Sequence, residues 1–276
     1  MSSDADATAP CVCPTHPTRT VRKGSSLRTI AGSLRAGRML LLVALALAPS
    51  TLTAGCRTVG TIEESQATQS AQREAAWQPV GREVEESRAV GGFSTIYATD
   101  GLSVTLRVEA NADPAGPVVR VVGDEAHVAL VRSEVNGGQL YLGLEAPRRD
   151  IPLDAVVHIV AGAPDEISVA GDVRMSATGF LGGDMAVDVS SVAELRLAGW
   201  VGELVADVSS GGALQALDLE AEAIVLDGRS GGQAKVHART SLVADLSSGA
   251  SACYEGAVAS ASADTSSGAS FERCRE

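Results

Sequence analysis

Residues 244–251 read ADLSSGAS and residues 263–270 read ADTSSGAS, the same order of acid, paired hydroxyls and glycine one short interval apart. Three chemistries use such a group: a serine nucleophile, an acidic calcium loop, or a turn that the fold makes repeatedly. What separates them is how often the group recurs. An acid stands two residues before the first serine-like position at Glu166, Asp188, Asp207, Asp227, Asp245 and Asp264, at intervals of 22, 19, 20, 18 and 19 residues.

Apolar residues keep fixed offsets around these anchors. Met185, Leu204, Ile224, Leu242 and Ala261 lie three before; Val187, Ala206, Leu226, Ala244 and Ala263 lie one before; Val189, Val208 and Leu246 lie one after. A period of two places them on one face of a strand and the acids on the other. The Ser-Ser-Gly group then bends the chain into a second strand. At ~3.3 Å per residue, 19 residues make a circuit of ~60 Å, enough to go round a narrow core and return ~4.8 Å above the start. The repeat predicts a β-solenoid, all-β, with coils of about 19 residues over 165–276. Its last coil, with Ala261, Ala263 and Thr265 facing inward, reads as a cap.

Composition agrees with a narrow tube. Of 276 residues, 45% are hydrophobic but only 3% aromatic, and 29 are glycine. Upstream, residues 81–164 alternate in short runs such as LSVTLRVEA and QLYLGLEA, separated by NGG, TDG and NADPAG, so they read as irregular strands joined by tight turns. EVNGGQLYLGLEA reads as a hairpin. Residues 81–276 thus form one domain.

Residues 1–55 read as a leader. Arg19, Arg22, Lys23, Arg28, Arg35 and Arg38 precede the apolar run MLLLVALALA (39–48), too short to span a bilayer, and Thr53-Ala54-Gly55 precedes Cys56. This layout is similar to a bacterial lipoprotein signal, in which the cysteine is lipidated, although Thr53 stands where leucine is usual. The alternative is an ordinary secreted protein with an incidental Cys56. Residues 56–80 are polar and read as a tether, with a short helical stretch over 63–76. The chain carries 22 basic and 34 acidic residues; the leader holds six and two of them, leaving 16 against 32, a net charge of −16. Such a surface repels nucleic acid and anionic headgroups, so membrane contact is expected only through lipid on Cys56.

The order GGFSTIYATDGLSVTL, VNGGQLYLGL, AVVHIVA, ISVAGDVRM and then coils with Ser-Ser-Gly turns resembles the head GIN domain family, described as adhesin heads of autotransporters. The resemblance covers residues 84–276. It implies a right-handed parallel β-helix, usually exported and often lipoprotein-anchored, with no established catalytic residues or cofactor to carry over. Family turns tend to read Ser-Gly-Ser-Gly-Asp, which only Ser168–Asp172 approaches here.

A unit copied in nearly every coil is a poor single active site, and His127, His158 and His237 sit singly in the sequence. The acids Asp207, Asp227, Asp245 and Asp264 are weak candidates for a metal, since stacked carboxylates could share a calcium ion, but they fall in mid-strand rather than in a cradling loop. The turn reading is favoured: Ser and Gly accept tight geometry, and the hydroxyls are expected to satisfy backbone groups at the corner. Cys253 and Cys274 are candidates for a disulfide; their two-residue offset places them at the limit of bridging distance unless the terminal coil shifts. Trp77, Trp200, Tyr254 and Phe271 read as scattered, with Trp200 packing over a solenoid edge. The sequence therefore favours a non-enzymatic envelope lipoprotein that contacts protein or glycan or acts as a spacer. A polysaccharide lyase or hydrolase is the rival, and a calcium-binding solenoid the third reading. The coils over 185–270 have almost no insertions and only Arg196, Arg229, Lys235 and Arg239 as cations, which argues against the rival.

Overall fold

The structure is a computed structural model, and it describes residues 77–110, 116–145 and 152–275. The alternating runs form strands β1 (Glu83–Ala89), β2 (Thr95–Ala98), β3 (Ser103–Val108) and β4 (Val118–Asp124), then a one-turn helix α1 (Glu125–Val128). β5 (Val131–Asn136), β6 (Gln139–Leu144), β7 (Ala155–Ala161), β8 (Glu166–Val169), β9 (Arg174–Leu181) and β10 (Met185–Val189) follow. The long strands β11 (Glu194–Val208), β12 (Ala213–Gly228) and β13 (Gln233–Leu246) each run round a bend, and β14 (Ser251–Glu255), β15 (Ser260–Thr265) and β16 (Ser270–Arg273) complete the chain.

These strands stack coil on coil as a β-solenoid. On one side β6, β2, β8, β10, the second halves of β11, β12 and β13, and β15 pair in parallel. On another, β7, β3, β9, the first halves of β11, β12 and β13, β14 and β16 do the same. The inward offsets meet in register, Leu204 on Ile224 on Leu242 and Ala206 on Leu226 on Ala244, and all six are buried. Cutting one of the leucines or Ile224 to Ala would cost ~2–5 kcal/mol, because the surrounding core relaxes only partly into the hole.

The first predicted anchor is displaced by two residues. Ser168, not Glu166, pairs with Asp188, and Glu166 pairs with Ala186. A slip of two leaves Ile167 and Val169 facing inward in either register, so the apolar pattern could not choose between them. Stack order also departs from chain order: the β2–β3 coil, first in sequence, is inserted between the β6–β7 and β8–β9 coils. β2 is therefore paired on both edges and cannot peel away alone.

The end of the stack where the chain enters is closed by antiparallel pairing. β5 folds back on β6 through Gly137-Gly138, both in left-handed conformation, which realises the predicted hairpin. β4 pairs β7, and β1 covers β4. Trp77, placed in the tether from sequence, is instead 1% exposed and tilted against His127, whose Nε2 lies 3.0 Å from the Trp77 carbonyl oxygen. The Asp124 carboxylate caps α1 at Ala126 N–H and accepts from Val80 N–H at 3.1 Å and Gly81 N–H at 2.8 Å. The chain is thus fastened to the solenoid before β1 begins. The helical stretch expected over 63–76 lies outside the described residues.

At the opposite end every residue of β15 is exposed. The inward row ends in Ala261 and Ala263, and Tyr254 stacks on Phe271 at 5.0 Å with Arg273 over the Tyr254 ring. Cys253 and Cys274 are joined in a disulfide with Cα atoms 4.9 Å apart. Cys253 pairs with Glu272, so the bridge runs diagonally to a residue just past the end of β16, where the strand register no longer holds the chain.

Candidate functional site

Stacking in register converts each outward position into a straight row along the solenoid. Asp188, Asp207, Asp227, Asp245 and Asp264 occupy one such row, one per coil, at ~4.8 Å spacing. The four metal candidates are therefore neighbours, but they follow a line instead of converging on a point. Among the described residues no group of three or more His, Cys, Asp or Glu is arranged to hold an ion. Arg229, from the corner after β12, contacts the Asp227 carboxylate and lies 3.9 Å from that of Asp207. Its partner oxygen is Asp227 Oδ2; Oδ1 is buried with no hydrogen bond.

The row's crowding appears in its titration. Burial, then the charges of Asp207 and Glu166, raises the Asp188 carboxyl above its ordinary value, against a hydrogen bond from Ser190 that lowers it. Toward the entry end the same row continues through Ser168 to Tyr97 and Tyr141, whose rings stack at 5.7 Å. That aromatic pair was missed in the sequence. Its signal was present in the matching outward places of TIYA and QLYL.

Two residues before the acids runs a second row, Ala186, Val205, Val225, Val243 and Ser262. Its valines are 45%, 43% and 54% exposed. An apolar stripe thus borders an acidic one on the same sheet face.

The Ser-Ser-Gly groups are corners. Ser210, Ser230, Ser248 and Ser267 have φ of 50 to 54°, and the glycine after each is also left-handed. The peptide groups are satisfied coil to coil: Gly211 N–H donates to the Ser230 carbonyl, Gly231 to Ser248 and Gly249 to Ser267, at 3.1 to 3.2 Å. This backbone ladder replaces the expected role of the hydroxyls. Val192 stands where the other corners place glycine, at φ 70° and 67% exposed.

His158, single in sequence, meets Thr105 across the coil, Nδ1 to Oγ1 2.6 Å, with Arg120 beside it. The Arg120 guanidinium is 2.9 Å from Glu85, and the strand backbone around Thr105 is consumed by pairing to β7 and β9. The threonine therefore lacks the free N–H donors that an acyl-transfer site requires. Trp200 is 38% exposed and its indole lies over Gly182, where a Cβ would meet the ring.

The model of the family described as "Putative auto-transporter adhesin, head GIN domain" matches residues 92–257. The chain belongs to the head GIN domain family. The matched span holds the coils from β2 through β14, and with them most of both outward rows. No curated protein matches the sequence. Among solved structures, one described as a putative adhesin from Bacteroides fragilis is 16% identical, with a TM-score of 0.55, and covers 71% of this chain and 99% of its own. At that identity the likeness bears on fold alone. A structure from Parabacteroides distasonis, described as a putative lipid binding protein, aligns at 14% identity and TM-score 0.44 over 71% of this chain and 98% of its own. One from Parabacteroides merdae, described as a putative adhesin, aligns at 13% and 0.42 over the same shares. Cys56 lies outside the described residues.

Proposed function

We propose that the mature chain is a non-catalytic head of the cell envelope, displayed on lipidated Cys56 through a polar tether, and that it adheres to protein or glycan through its outward rows. The observation that supports adhesion over turnover is the regularity of those rows. Side chains repeat one per coil along the stack, which multiplies weak contacts along a surface without converging acid, base and oxyanion donors on one bond. Membership of a family described as adhesin heads points the same way. The anchor in this reading is a lipid on Cys56; among the described residues no helix is long and apolar enough to cross a membrane.

Bacterial cells or beads carrying the mature chain, challenged with immobilised envelope proteins and glycans alongside a polymer-degradation panel, test the reading. Retention without loss of polymer is expected. Polymer cleavage that vanishes on mutating the Asp row would overturn it. Palmitate labelling of wild type but not Cys56→Ala is expected for the anchor.

A further inference from the structure

We propose that the valine and aspartate rows together form a docking face for a cationic amphipathic helix presented by a partner protein; this rests on the adhesive reading above. Val205, Val225 and Val243 leave β-branched side chains exposed on a sheet face that none of the described residues covers. Two residues along each strand, ~6.6 Å away, stand Asp207, Asp227 and Asp245. The face is therefore two parallel stripes, one apolar and one anionic, running along the solenoid axis.

A helix can match two parallel stripes. Its apolar residues at i, i+3, i+4 and i+7 form one line and the residues flanking them form another, whereas a strand presents one face whose side chains fall in a single line. The pitch also fits, since a helical turn advances 5.4 Å against a coil spacing of ~4.8 Å. From Asp188 to Asp264 the row spans four coil steps, ~19 Å, the length of about 13 helical residues.

The charge of the partner follows from Arg229. The fold already lays one guanidinium across Asp207 and Asp227, which shows how a cation sits against the row. Among the described residues no basic group lies within ion-pairing distance of Asp245 or Asp264, so this half of the stripe is left for cations from outside. A second copy of the chain is a poor occupant. Face to face it would set aspartates against aspartates, on a protein already carrying the excess of acids counted above. A metal ion is no better served, because the carboxylates follow a line and Arg229 occupies two of them.

The test uses the whole mature chain with Cys56→Ser and a synthetic helical peptide bearing a leucine stripe flanked by lysines, with a glutamate-flanked peptide as counterpart. Binding is read by anisotropy. The lysine peptide is expected to bind, more weakly as salt rises, and the glutamate peptide not to bind. Asp245→Asn with Asp264→Asn, and separately Val225→Thr with Val243→Thr, should each weaken binding about tenfold, while Gln215→Ala on another side should leave it unchanged. These substitutions are outward and conservative, and unchanged circular dichroism confirms the fold. Absence of binding, equal binding of both peptides, row variants that bind like wild type, or a dimer abolished by Val243→Thr would each overturn the inference. Cells that still adhere to a surface when the row variants are introduced would refute the docking face and leave the adhesive reading standing only through other outward positions of the stack. A chain that binds the lysine peptide but retains cells on no surface would do the reverse.

Discussion

The guanidinium of Arg229 rests against the carboxylate of Asp227 in the middle of a row of five aspartates. It is the counter-charge that the repeat supplies at only one level, since the equivalent corner positions hold Ser190, Ser209, Ser247 and Ser266. Arg229→Ala should lower the melting temperature at low ionic strength, and added salt should shrink the difference from wild type, as screening replaces the lost cation. A variant indistinguishable from wild type at low salt would show that the row carries no mutual strain.

Asp188 gives the same strain a pH dependence. Its carboxyl is raised in the folded state, so the native protein holds that proton more tightly than the unfolded chain does. Stability from this group is therefore greatest below the ordinary carboxylate range and falls as pH rises through the raised value. Asp188→Asn should stabilise the protein at neutral pH and flatten its stability profile through the weakly acidic range, measured by denaturant unfolding. Asp124 acts in the opposite sense. Burial pushes its carboxyl up, but N–H donors from Val80, Ala126 and Gly81 and the charge of His127 outweigh this and leave it lowered. Its contribution is present above the ordinary value and is lost as pH falls through the lowered one.

The Asp124 fastening can be watched directly. In a Trp200→Phe background, Trp77 reports alone, since the chain has two tryptophans. Asp124→Ala should shift its emission to the red as the 77–81 segment loosens from α1 and β1. Emission that stays blue would mean that packing against His127 suffices without the carboxylate.

Val192 tests the corner. A β-branched residue at φ 70° is strained by ~1–2 kcal/mol, and glycine recovers this at an entropic cost of ~0.5–1 kcal/mol. Val192→Gly should raise stability by up to ~1 kcal/mol, and Gly211→Val should lower it by a similar amount. Effects of the same sign from the two substitutions would show that the corners are not equivalent.

The Cys253–Cys274 bridge closes a loop across a sequence separation of 21, worth ~3 kcal/mol in a loop-entropy model. Reduction should remove hydrogen-exchange protection from β15 and β16 while leaving β10 and the interior stretch around Leu204 protected. Uniform loss along the stack would show that the last coil is not the weak one.

Much of this was legible because a solenoid writes its core into the sequence at a fixed interval. Leu204, Ile224 and Leu242 could be aligned by eye, and with them the outward aspartates. The offset at Glu166 was lost because a period of two is blind to a shift of two. The insertion of β2–β3 between later coils left no local trace, since a strand's side chains do not record which neighbour lies on each edge. Trp77 looked like tether because His127, which its carbonyl and ring meet, is fifty residues away in the sequence. The valine row was visible as letters, but its exposure follows only once the alternation has a confirmed inside.

Every row described here depends on one residue per coil standing in line. Spin labels on Asp188→Cys and Asp264→Cys, in the mature chain with Cys56→Ser and the native disulfide intact, measure that relationship directly. The account predicts a single narrow distribution centred near ~19 Å, four coil spacings, with only the label arms to broaden it. A broad distribution, or one centred well beyond that distance, would contradict the in-register stack and with it the docking face.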